Sequence, residues 1–199
     1  MRISSLGAFV GEDKIFDDLN FSSEDAHFVV VRGPNGAGKS TLLECLAGKR
    51  EPDKGMIELN SKKTCYIPTE TKYFVLPWYD TQKNVEIFTR KEFLASKMAL
   101  ELFLSNFELR TPIPLDRPAY LLSSGQRALL SVFLGQQIDP DVMLLDEIMA
   151  NLSKENRQSL GDLLYRWSSK KGRLVLLVSH HFRLTNTTEY TGYKELVLH

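Results

Sequence analysis

The chain has 199 residues, 43% hydrophobic and 25% charged, a composition able to bury the core of one globular domain. Lys plus Arg and Asp plus Glu number 25 each, so the charge selects neither a polyanion nor an acidic membrane surface, and nucleic acid is not an expected partner. The opening MRISSLGAFVGEDK lacks the apolar core of a secretory signal, and no apolar run approaches the roughly 20 residues that cross a bilayer, which predicts a soluble chain.

In chain order, RISSLGAFV, EDKIFDDLNFS and AHFVVVR read as strands, the last nearly continuous in apolar residues and therefore buried. It runs into GPNGAGKS at positions 33–40, and TLLECLAGK then reads as a helix that stops at Gly48. A turn, EPDKG, leads to another strand pair, MIELN and KTCYIP. From about Thr81 to Leu109, the residues Val85, Phe88, Phe93, Met98, Leu102 and Phe107 recur at near-helical spacing among charges, which predicts a helical insert with these as its apolar positions. TPIPLDRPAY, with three prolines, predicts a loop, and LSSGQR opens a helix running to roughly Ile138. VMLLDE reads as a buried strand, SKENRQSLGDLLYRW as a helix, RLVLLVS as a second buried strand and KELVLH as a terminal one. Cys45 and Cys65 follow no metal or redox pattern and are expected to be buried free thiols in a reducing compartment.

Four stretches carry chemistry. Residues 33–40 fit G-x-x-x-x-G-K-[ST] between a strand and a helix, the context that gives the pattern meaning. Gly33, Gly36 and Gly38 allow the backbone to curl into a nest of N–H groups at a helix N-terminus, Lys39 supplies a charge for β and γ phosphates, and the Ser40 hydroxyl suits Mg²⁺. VMLLDE brings Asp146 and Glu147 to the carboxyl end of a strand, where ligands of open parallel sheets bind; Asp146 suits Mg²⁺ and Glu147 a general base for water. RLVLLVSHH places His180 and His181 at another strand end, either as donors to a phosphate oxygen or as surface residues closing a strand. In LSSGQR, Ser123 and Gln126 have the spacing of a capping box.

These four motifs, in this order, resemble the ATPase subunits of ATP-binding cassette (ABC) transporters, and the resemblance covers nearly the whole chain. It implies an α/β fold: a P-loop NTPase core with a mostly parallel sheet, an N-terminal antiparallel β subdomain and a helical subdomain inserted at about 70–122, all within one domain over 1–199. It implies ATP and Mg²⁺ as ligands. Gly33, Pro34, Asn35, Gly36, Ala37, Gly38, Lys39, Ser40 and Thr41 would hold the chain's own nucleotide. Ser123, Ser124, Gly125 and Gln126 would contact ATP held by a second ATPase domain, identical or different, in a head-to-tail dimer. Ser40 and Asp146 would serve Mg²⁺, with Glu147 as base and His180 as a switch histidine. The implied partner is a transmembrane permease subunit, with the chain peripheral on the cytoplasmic face.

Several positions depart from that pattern. Ser124 stands where glycine is frequent, Thr69 and Glu70 where a glutamine is usual, and Ser153 where an aspartate is usual. The aromatic that stacks on adenine falls near Val10, with Phe9 and Phe16 as neighbours. VLPWYDTQKNV, at 75–85, resembles the same segment in ATPases of nitrate, sulfonate and taurine importers. Its neighbourhood collects Tyr73, Phe74, Trp78 and Tyr79, suited to docking a membrane subunit's helix or to packing the insert on the core. Alternative readings are a soluble ABC ATPase without transport, a hydrolysis-impaired nucleotide switch, and a P-loop kinase, which leaves LSSGQ unexplained.

Overall fold

The computed structural model describes residues 1–170, 172–180, 182 and 191–199. His181 lies outside the described residues. Among the described residues there are eight strands: β1 (Arg2–Val10), β2 (Asp13–Ser22), β3 (Phe28–Arg32), β4 (Lys54–Glu58), β5 (Thr64–Ile67), β6 (Val142–Asp146), β7 (Leu174–Val178) and β8 (Tyr193–Val197). Five α-helices accompany them among the described residues: α1 (Lys39–Leu46), α2 (Thr81–Thr89), α3 (Phe93–Leu104), α4 (Ser124–Gln137) and α5 (Lys154–Ser168).

Five strands form a wholly parallel sheet in the order β5-β6-β7-β3-β8. β6 and β7 are buried at every position, and β3 at all but Arg32, because both faces of the sheet are covered, which is why they read as continuous apolar runs. Alternate residues feed two cores. Phe28, Val30, Met143, Leu145, Val175 and Leu177 pack with α4, α5 and the helical insert, while Val29, Val31, Val142, Leu144, Leu176 and Val178 pack with α1 and with Ile3, Leu6 and Phe16 of the other sheet. That second sheet is antiparallel, in the order β2-β1-β4. The α/β class, the parallel core and the N-terminal antiparallel subdomain are therefore as expected.

Two details differ from expectation. MIELN and KTCYIP do not pair with one another: β4 joins β1 in the antiparallel sheet and β5 joins β6 in the parallel one. The intervening turn residues permit a hairpin, but burial of β5 beside β6 outweighs the local pairing. The insert consists of two helices, broken at Arg90, whose left-handed φ of 55° closes α2. The inward line of α3 is Phe93, Ser96, Leu100 and Phe103, so Met98 and Leu102, 80% and 71% exposed, fall with Leu94 on the outer face. The 3.6-residue period places 94, 98 and 102 roughly half a turn from 96, 100 and 103.

Cys45 and Cys65 are buried and free, as expected. Burial pushes the Cys65 thiol up to about 12, which leaves it unreactive at neutral pH.

Candidate functional site

The carboxyl ends of β3, β6 and β7 lie side by side, and the loop after β3 wraps the first of them. Gly33, Gly36 and Gly38 have φ of 146°, 85° and 83°, values that curl the loop toward α1. Gly38 is constrained twice, because a Cβ there would lie 2.4 Å from Ile15 Cγ2 and 2.8 Å from the Phe16 ring. The N-terminal sheet is thus pressed onto the loop through β2. No side chain caps α1, and no acidic residue occupies its first turn, so its positive end faces the cavity uncompensated. Lys39 is buried to 8% exposure and its ammonium donates to the Gly33 and Pro34 carbonyls at 3.0 and 2.8 Å.

A cavity of about 370 Å³ is lined by Asn35, Gly36, Gly38, Lys39, Ser40, Thr41, Asp146, Glu147, His180 and Ile15. Nine of these are expected from the sequence; Ile15 is not. Gly33 and Pro34 serve from behind, through their carbonyls, and Ala37 is buried in the core beneath the loop. Val10, the position that the resemblance matches to an adenine-stacking aromatic, is 60% exposed. Phe16 is buried, and the Phe9 ring takes the Lys54 ammonium 4.9 Å from its centroid. The apolar contribution to the cavity is therefore aliphatic.

Asp146 ends β6 at 2% exposure. Its Oδ2 accepts a hydrogen bond from the Tyr66 hydroxyl at 3.4 Å, whereas Oδ1 is buried without a hydrogen-bond partner among the described residues. Such an orphaned anionic oxygen is costly unless something completes it. A hard divalent cation fits, since Ser40 lines the same cavity with a hydroxyl. Among the described residues no group of three or more His, Cys, Asp or Glu converges. A site with one carboxylate and one hydroxyl suits Mg²⁺, which keeps waters and phosphate oxygens among its ligands. Glu147 adopts a left-handed φ of 49°, held by its N–H donating to the Val178 carbonyl at 3.1 Å. That turn brings its carboxylate 3.1 Å from His180 Nε2. Neither the strained turn nor the contact is marked in the sequence.

α4 begins elsewhere. Ser123 accepts from the Gln126 N–H at 3.2 Å and Gln126 Oε1 accepts from the Ser123 N–H at 2.9 Å, so the capping box forms as its spacing predicts. Gln126 Nε2 also donates to the Thr111 and Pro112 carbonyls, which fastens the proline loop. Ser123, Gly125 and Gln126 border a depression with Asn151, Ser153 and Asn156, while Ser124 faces a second one with Thr69, Glu70 and Glu147. Neither depression includes a residue of the β3–α1 loop. Ser153, at the usual aspartate position, caps α5 by accepting from the Asn156 N–H at 3.2 Å. Serine and aspartate cap equally well, so the substitution keeps the turn and removes only a charge. Glu70 pairs with Lys72 at 2.5 Å instead of reaching across.

Of the four aromatics near the insert, Phe74 packs on Phe88 at 5.3 Å, while Tyr73, Trp78 and Tyr79 are 76%, 79% and 50% exposed. Trp78 contacts the half-exposed Tyr120, which no sequence pattern singles out. Asn84 explains the LPWY…NV pattern. It is fully buried, accepts from the Leu76 N–H at 2.8 Å and donates to the Leu76, Tyr79 and Asp80 carbonyls, so one amide fixes the whole turn.

The sequence model of the ABC transporter family matches residues 16–150. The chain is 32% identical over 187 residues to the aliphatic sulfonates import ATP-binding protein SsuB 1 of Rhodococcus jostii, covering 90% of this chain and 72% of that one. It is 30% identical over 174 residues to the molybdate/tungstate import ATP-binding protein WtpC of Thermococcus kodakarensis, where it spans 83% of its own length and about half, 53%, of the relative. The dimeric bacterial ABC transporter cassette MJ0796 superposes with a TM-score of 0.76 at 17% identity, over 98% of this chain and 94% of that one.

Proposed function

The chain belongs to the ABC transporter family, and from that premise we propose that it is the ATP-binding and ATP-hydrolysing subunit of a transporter whose membrane-spanning part is a separate chain. No described helix is long and apolar enough to cross a membrane. The relatives named above are import proteins, which favours transport over the soluble non-transport reading. The whole of 1–199 is read as one cassette, with the insert at about 70–122 and the chain peripheral on the cytoplasmic face. The observation that carries the proposal is the convergence of Lys39, Asp146, Glu147 and His180 on one cavity at the carboxyl ends of three parallel strands.

Residues 33–41 enclose the triphosphate with backbone N–H groups and the α1 N-terminus. Lys39 exchanges its two carbonyl partners for β and γ phosphate oxygens, trading neutral acceptors for charged ones, which bind an ammonium more strongly. Ser40 and Asp146 would hold Mg²⁺, which would supply positive charge to offset that developing on the phosphates. Glu147 accepts a proton from water as the water oxygen bonds to the γ phosphorus and the bond to the β,γ-bridging oxygen breaks, leaving ADP and phosphate. His180, held beside Glu147, donates to a γ oxygen.

The signature completes a site in another copy or a related chain. Because the Ser123 oxygen accepts from the Gln126 N–H, the cap fixes the oxygen, and the hydroxyl proton can turn to donate. Exposed Tyr73, Trp78, Tyr79 and Tyr120 provide the surface for the membrane subunit.

The test is Glu147→Gln. Phosphate release should fall by about 10²-fold or more, while sedimentation should show a dimer that appears only with ATP and Mg²⁺. Wild-type release rates in the variant would remove Glu147 as the base; failure of the wild type to bind ATP would remove the proposal.

A further inference from the structure

Tyr66 lies on β5 opposite Leu144 of β6, and Asp146 is two residues farther along the same face. A residue two positions on from a strand partner is a diagonal neighbour, too far for a short side chain and within reach of an aromatic one. The Tyr66 hydroxyl accordingly reaches Asp146 Oδ2 at 3.4 Å and leaves Oδ1 as the buried oxygen without a partner. Lys49 lies over the ring, its ammonium 4.6 Å from the centroid. A phenol hydroxyl that faces a carboxylate is the donor of the pair.

We propose that Tyr66 is a positioning residue that orients the Asp146 carboxylate through Oδ2, so that Oδ1 is presented to a divalent cation bound with the nucleotide. This rests on the reading of Asp146 as a cation ligand. Without the phenol, the carboxylate can rotate about its last bond, and the orientation that engages Oδ2 and leaves Oδ1 unpaired is only one of those open to it. Outer groups that hold metal ligands typically contribute about 10- to 100-fold to metal affinity, and a bond as long as 3.4 Å places the expected effect at or below the lower end of that range. The β6 end and the α1 end would then be linked through a residue on a strand that contributes nothing else to the cavity.

The experiment measures ATP affinity of the full chain in EDTA and in saturating Mg²⁺, and takes the ratio as the coupling between nucleotide and cation. Tyr66→Phe keeps the ring and the Lys49 contact. It should reduce the Mg²⁺ enhancement about threefold to tenfold, with the EDTA affinity and the melting temperature unchanged. The half-saturating Mg²⁺ for phosphate release should rise by the same factor. Asp146→Asn, measured in parallel, should reduce the enhancement at least as much. A normal enhancement in Tyr66→Phe alongside a lost one in Asp146→Asn overturns the role of Tyr66 and leaves Asp146 in place. Normal enhancement in both overturns the reading of Asp146 and the inference with it. Loss of EDTA affinity or of melting temperature in Tyr66→Phe would assign the tyrosine to packing alone and also overturn the proposal.

Discussion

The chain has two helix N-termini suited to anions, and they are finished differently. α1 has a left-handed glycine in front of it, no side-chain cap and a buried lysine resting on carbonyls. α4 is closed by a reciprocal Ser123–Gln126 box that satisfies two backbone donors within the chain. The first end has no side-chain acceptor and needs an anion; the second keeps its geometry without one. An isolated copy should accordingly bind ATP at α1 alone, and α4 should act only when another domain carries a γ phosphate to it.

The largest expected break in this contrast is Lys39→Ala, which removes the only buried ammonium lining the cavity among the described residues. Equilibrium binding should show ATP affinity reduced by about 100-fold or more, since charge-assisted contacts to two phosphates are lost. Ser123→Arg tests the other end: ATP-driven dimerisation in the Glu147→Gln background should disappear, while binding by the monomer changes by less than about threefold, as Ser123 touches no residue of the α1 site. Persistent dimerisation would remove α4 from the interface. The smallest effect is expected from Gln126→Ala, which opens half of the box and frees the proline loop. Stability should drop by about 1 kcal/mol, read as a few degrees in thermal unfolding, with monomer ATP affinity unchanged.

Features set by local pattern are legible in the amino-acid sequence. The uninterrupted apolar runs of β3, β6 and β7, the loop glycines and the Ser123–Gln126 spacing each encode their outcome within a few residues. What escapes depends on contacts far apart in sequence or on geometry that residue type does not carry. Asn84 is an ordinary polar residue until its amide is seen to satisfy a turn ending at Asp80. Tyr66 meets Asp146 only because β5 and β6 lie side by side with Tyr66 opposite Leu144. Ser153 reads as a lost aspartate when charge alone is compared, yet its hydroxyl supplies the same cap. The outward turn of Met98 and Leu102 is of a third kind: α3 has apolar residues around most of its girth, so apolar spacing alone does not say which line faces inward.

The lysine that rests on the Gly33 and Pro34 carbonyls is a clasp as well as a charge. It ties the first two residues of the loop to the residue that opens α1, so the curl that the glycines permit is also held closed from within. Lys39→Ala therefore removes a fastening along with an ammonium.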